Sequence, residues 1–246
     1  MKNIILCEGS TDGMLLQYFM RKVHQWEDDS NCNSLFGSNA TWFRTMKKGN
    51  GRLDIESCRG SSRLLANLNL ALNFNYNAML SEAYEKVAIV TDRDEIGTET
   101  DFIQALNNLL MNNNIKILDV VCHNEWIKCE YQTNNKKIRK MEILILIIPF
   151  AQTGAMETFL LESISNKDSY DAQIIQKGNQ FVDNIDPQNK YLTKRRYITK
   201  AKFDVYFSVR TAAEQFSQRQ NILKDVDWEK YIDVQGEFQK LAYLNC

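Results

Sequence analysis

Four carboxylates stand directly beyond apolar runs. Glu8 and Asp12 follow Asn-Ile-Ile-Leu-Cys, and Asp92 and Asp94 follow Val-Ala-Ile-Val-Thr. In an open parallel sheet the crevice beyond the carboxyl ends of the strands is where ligands bind. Carboxylates gathered there repel one another, and a divalent cation is one way to hold them ionised. Mg²⁺ prefers oxygen ligands and retained waters, with substrate phosphates completing its shell. The competing reading is local. Acids just past a strand also satisfy the first-turn amides of the next helix, and Asp12 serves that role without any metal.

The elements that would position these acids are legible as periodicity. Lys2–Cys7 is a continuous apolar strand. Met14, Leu15, Tyr18 and Phe19 follow at helical spacing. Leu53–Cys58 reads as a strand, and Gly60-Ser61-Ser62 opens a helix carrying Leu64, Leu65, Leu68 and Leu72, with Ser61 or Ser62 as its N-cap. Glu85–Thr91 is a third strand. The helix from about Thr98 carries Phe102, Ala105, Leu106, Leu109 and Leu110. Further strands are expected at Ile115–Val121, Trp126–Thr133 and Ile138–Ile148, with Asn134-Asn135-Lys136 turning a hairpin between the last two. Ala155–Ile164 reads as a helix. Beyond residue 165 the pattern is helical and polar, with apolar positions at Ile174, Ile175 and Phe181, from Tyr197 to Val209, and from Phe216 to Val226. The alternation predicts an α/β fold: a mostly parallel sheet flanked by helices, with a β-hairpin insertion. The expected division is a core over 1–165 and a helical C-terminal extension over 166–246 packed on it.

Bulk properties narrow the classes. The net charge is −1, so nucleic-acid binding on overall charge is excluded and any such contact needs a local patch. The six cysteines, at 7, 32, 58, 122, 129 and 246, form no CxxC pair, and with two histidines they fit no zinc module. No apolar run approaches the roughly 18 residues of a membrane span, and the N-terminus lacks signal-peptide character. The expectation is a cytoplasmic protein with free thiols and no membrane contact.

The order Cys7-Glu8-Gly9-Ser10-Thr11-Asp12, then Ala88-Ile89-Val90-Thr91-Asp92-Arg93-Asp94, resembles the Toprim domain, and its EGxTD flavour is similar to the OLD-type nuclease branch. The resemblance covers roughly residues 1–165. It implies a Rossmann-like Toprim fold, Mg²⁺ (or Mn²⁺), and phosphodiester chemistry on nucleic acid, DNA or RNA. It implies metal-site roles for Glu8, Asp92 and Asp94, with Asp12 added by the OLD-like pattern. Gly154-Ala-Met-Glu157 is similar to the later Gly-x-x-Glu segment of that branch, where an acid supports a second metal. Lys200 and Lys202 lie where related proteins carry a lysine near the site, and they join Glu8, Asp92 and Asp94 as catalytic candidates. Two metals about 4 Å apart would clamp the scissile phosphate, a lysine would neutralise developing charge, and Glu8 would bind metal and handle the proton. There is no GxxxxGK[ST], so the ATPase half of the OLD proteins is missing from this chain and nucleotide control would need an ATPase partner in trans. A primase zinc module is absent and the chain is too short for topoisomerase gates, which leaves a nuclease. The OLD likeness suggests anti-phage defence. A similar Toprim core also serves a ribosomal-RNA-maturing ribonuclease.

Lys190, Lys194, Arg195 and Arg196, continuing to Lys200 and Lys202 with Tyr191 and Tyr197 interleaved, are the candidate phosphate-backbone track. Lys136, Lys137, Arg139 and Lys140 form a second basic cluster. A charge run is also an ordinary solvated helix face. An EF-hand reading of Asp92-Arg-Asp94 fails, because Ile96 and Ile103 fall where oxygen ligands are required. A haloacid-dehalogenase-like phosphatase also uses DxD after a strand, but it calls for Thr or Val where Ile96 stands and leaves Glu8 and Asp12 unexplained; a DxD phosphotransfer enzyme such as a sugar transferase, with Asp92 and Asp94 holding a nucleotide-sugar diphosphate, is an open alternative. The alternative of another class is a non-catalytic or weakly catalytic Toprim subunit that docks a partner. Homo-oligomerisation is the remaining partner expectation.

Overall fold

The computed structural model describes residues 1–30, 34–37, 40–212, 223 and 226–245. Eight strands form one open mixed sheet: β1 (Lys2–Cys7), β2 (Glu27–Asp29), β3 (Trp42–Lys48), β4 (Gly51–Ser57), β5 (Tyr84–Asp92), β6 (Lys116–Ile117), β7 (Trp126–Gln132) and β8 (Ile138–Ile148). The spatial order is β2-β3-β4-β1-β5-β8-β7-β6. The four central strands β4, β1, β5 and β8 are parallel, and antiparallel strands extend both edges.

Strands β1, β5 and β8 are apolar on both faces, and strand periodicity sends alternate residues to opposite sides. Ile5, Cys7, Ala88, Val90, Leu144 and Leu146 enter one core cluster. Ile4, Leu6, Val87, Ile89, Ile143 and Ile145 enter the other. Helices cover both. The second cluster is closed by Leu64 and Leu68 of α2 (Ser61–Asn77) and by Leu106 and Leu110 of α3 (Thr98–Asn112). The first is closed by Leu15, Leu16 and Phe19 of α1 (Ser10–His24), by Leu160 and Ile164 of α4 (Met156–Lys167), by Ile175 of α5 (Ser169–Ile185), and by Phe203 and Phe207 of α6 (Arg195–Arg210). Each such side chain contributes about 1.5–3 kcal/mol when fully buried. The C-terminal segment joins the same cluster: Trp228 and Phe238 are buried in it, and Phe238 meets Phe19 edge-on at 5.0 Å between ring centres.

Several expectations are corrected. The strand expected over Ile115–Val121 shortens to Lys116–Ile117. The cap of α2 is neither Ser61 nor Ser62 but Gly60, at φ 104°, a left-handed value that a side chain resists. Phe181 is exposed, and its neighbour Val182 is buried instead. Strands β2 and β3 went unpredicted; β3 buries only Thr45 and Met46, too few for a periodic signal, and is held by pairing with β4. Most of 216–226 lies outside the described residues, although Leu223 and Val226 are buried. Cys7, Cys58, Cys122 and Cys129 are free thiols, whereas Cys32 and Cys246 fall outside the described residues. Among the described residues no helix is long and apolar enough to cross a membrane.

Candidate functional site

The chain leaves β1 for β4 on one side and returns through α2 to β5 on the other. This reversal makes the carboxyl ends of β1 and β5 a topological switch point, with α1 and α2 on opposite faces. Cys7 pairs with Val90, so Glu8, one residue beyond β1, comes level with the end of β5. Its Oε1 accepts the Thr91 hydroxyl and the Asp92 amide, the latter at 3.0 Å. Asp12, in the first turn of α1, accepts the Gly9 amide at 2.8 Å. Asp92 accepts the Met156 amide at 2.9 Å and so anchors the start of α4. Glu157 is the next residue and is buried.

The loop between β8 and α4 is drawn onto β5. Arg93 and Gly154 form an isolated bridge, with Gly154 N donating to Arg93 O at 2.8 Å. A Cβ on Gly154 would stand 3.2 Å from both Pro149 and Thr158, so this glycine permits the close approach that brings Glu157 in. Arg93 fixes the loop from within, donating from Nε to Pro149 O at 2.7 Å and pairing with Glu99 at 2.8 Å.

The electrostatics record the crowding. Burial raises the Asp12 carboxyl to about 7, and the charges of Glu157 and Glu8 add to the rise; the Gly9 amide and the Lys200 charge oppose it. Asp92 lies well above the carboxylate range, through burial first and then repulsion from Asp12, Glu8 and Glu157. Burial also raises Glu8, against the pull of its hydrogen bonds to Thr91 and Asp92, while Asp94 pushes it further up. Glu8, Asp12, Asp92 and Glu157 thus lie close enough to repel one another at the switch point, and Asp94 is exposed beside them. The Cys7 thiol beneath them is held protonated by burial and these charges, so it is not a nucleophile.

The donor set is entirely carboxylate oxygen, buried and mutually repelling, which suits a hard divalent cation. Among the described residues no three His, Cys, Asp or Glu side chains are pre-arranged as a metal cage. Glu8, Asp12 and Asp92 each give one oxygen to a nearby amide and keep the other.

A family model described as a protein of unknown function, DUF3226, matches residues 2–238. The chain belongs to the DUF3226 family. No curated protein matches it. Similar solved structures include the hypothetical protein PH0156 from Pyrococcus horikoshii OT3, at 17% identity and TM-score 0.49, covering 99% of this chain and 97% of that one. Another is a glyoxalase/bleomycin resistance protein/dioxygenase family enzyme from Burkholderia phytofirmans PsJN, at 10% identity and TM-score 0.21, covering 58% and 96%. At these scores neither supports an argument about this DUF3226 chain.

Its basic candidates separate. Lys200 acts on Asp12. Lys202, two residues on along α6, pairs with Asp183 of α5 at 2.8 Å and lines a cavity between α4, α5 and α6. Residues two apart on a helix do not share a face. Arg195 donates to the Asp94 carbonyl. Lys190, Lys194 and Arg196 are exposed; Lys190 stands over the Tyr191 ring and Arg196 over Tyr197. The second basic cluster occupies the β7–β8 turn, at the amino end of β8. At about 3.3 Å per residue, β8 carries it some 30 Å from the switch point. Thr91, Arg93 and Gly154 escaped sequence reasoning as positioning residues; only the position of Thr91 beside the DxD motif could have signalled a role.

Proposed function

We propose that this chain hydrolyses phosphodiester bonds of nucleic acid as a Toprim-like, OLD-type nuclease, acting in the cytoplasm. The observation that carries the reading is the approach of Glu8, Asp12, Asp92 and Glu157, from three separate stretches of chain, to one another at the switch point. Asp94, exposed beside them, completes the set. These five would hold Mg²⁺ or Mn²⁺, which supplies charge stabilisation and an activated water when bound. Thr91 and the Asp92 amide orient Glu8 toward the crevice. Lys200 offsets negative charge beside Asp12. Lys190, Lys194, Arg195 and Arg196 form the track that receives the strand. The unpaired thiols of Cys7, Cys58, Cys122 and Cys129 agree with a reducing compartment.

The test is incubation with plasmid, single-stranded DNA and RNA in Mg²⁺, Mn²⁺ or chelator. Metal-dependent cleavage that falls at least about 100-fold in Glu8→Gln and Asp92→Asn supports the proposal. An intact substrate in every condition sinks it.

A second reading has its own observation. Asp12 and Asp92 satisfy amides at the starts of α1 and α4, which is sufficient reason for both as structural acids. On that reading the chain is a non-catalytic subunit that docks an ATPase partner in trans or another copy of itself. A stable partner complex without nuclease activity would favour it.

A further inference from the structure

A cavity of about 500 Å³ lies between α4, α5 and α6, within the usual size of small-molecule sites. Two of its walls are shared with the carboxylate cluster. On α4, Glu157 faces the carboxylates and the next residue, Thr158, lines the cavity. On α6, Lys200 acts on Asp12, while Thr199 on the other side of the turn lines the cavity. Arg195 lines it too, and its guanidinium reaches the Asp94 carbonyl. The cavity therefore opens beside the proposed reaction centre.

Its lining is divided by chemistry. Leu161, Ile175 and Ile198 give an apolar floor. Arg195 and Lys202, with the hydroxyls of Thr158 and Thr199, supply cations and hydroxyl donors that suit a phosphate and outnumber the one carboxylate of the lining, Glu162. Asn179 completes the lining beside Ile175.

We propose that this cavity is a mononucleotide subsite. The base lies on Leu161, Ile175 and Ile198, and the phosphate faces Arg195, Lys202 and the threonines. This rests on the nucleic-acid reading above and deepens it: the pocket receives the nucleotide next to the scissile phosphodiester.

The test is titration of the full chain in chelator with adenosine 5′-monophosphate, ribose 5-phosphate and inorganic phosphate, followed by calorimetry or amide NMR. The mononucleotide should bind at least about tenfold more tightly than the other two, since the base supplies the apolar contact. Ile198→Trp, which fills the cavity, should weaken it about tenfold or more, and so should Thr199→Glu, which sets a negative charge against the phosphate and does not touch the core. Equal binding of all three probes, or unchanged binding in a folded Ile198→Trp or Thr199→Glu protein, overturns the subsite. Cavity binding with no cleavage of any substrate supports the subsite and refutes only the hydrolytic reading. Metal-dependent cleavage with no mononucleotide binding refutes only the subsite.

Discussion

Asp12→Asn isolates the cost of crowding carboxylates at the switch point. Asn keeps an oxygen for the Gly9 amide, which Asp12 accepts at 2.8 Å, but carries no charge. The Asp12 carboxyl lies at about 7 against an ordinary 3.8. A group raised on folding contributes stability in full below its unfolded pKa and loses it as pH rises through the folded one. The window is therefore pH 4 to 7. Three units at 1.36 kcal/mol each make the full difference on the order of 4 kcal/mol. In chelator, Asp12→Asn should match the parent near pH 4 and exceed it by up to that amount at pH 8. For a chain of this size the gain is roughly 8–16 °C in Tm. Saturating Mg²⁺ should narrow the gap from the parent's side, because an ion bound only by the native state stabilises it by mass action. Urea denaturation at pH 4, 6 and 8, with chelator and with Mg²⁺, reads all of this. An Asp12→Asn protein no more stable than the parent at pH 8 in chelator would refute the reasoning, since Asp12 would then not be a buried, repelled charge.

The remaining predictions concern other groups. Lys200→Met should move the Asp12 titration to still higher pH in carboxyl-detected NMR, because the opposing charge is gone, while Lys202→Met, which removes only the pair with Asp183, should leave it in place. Asp54 is buried at the far end of the sheet, where it accepts from Thr45 and Tyr84 and pairs with Arg52 and Lys2; Asp54→Ala should cost about 3–5 kcal/mol in urea unfolding by stranding that network. Glu237 is raised to about 7 by burial. The sign is that of Asp12, so Glu237→Gln should be neutral near pH 4 and stabilising above pH 7, by about 1–2 kcal/mol once partial solvation is allowed for.

Strands β1, β5 and β8 were legible because each is apolar on both faces and bounded by turn residues, and β4 through the alternation of Leu53 and Ile55. Strand β8 occupies Ile138–Ile148 as expected, and the hairpin turns at Asn134–Lys136, where Lys136 adopts φ 60°. Strand β3 was hidden because an edge strand with two buried residues carries almost no pattern. Glu8, Asp12, Asp92 and Asp94 could be singled out as acids beyond strands, since that depends on local order alone. Their meeting could not, because residues 8 and 92 become neighbours only when β1 and β5 pair in parallel register. Likewise Lys200 and Lys202 look equivalent in a string, and helix rotation separates them. Sequence by itself determined which segments are strands and which acids follow them, because burial and turn chemistry are local. Tertiary structure decided strand order, the hold of Arg93 and Gly154 on the loop that delivers Glu157, and which lysine faces the acids. Those depend on contacts between residues far apart in the chain.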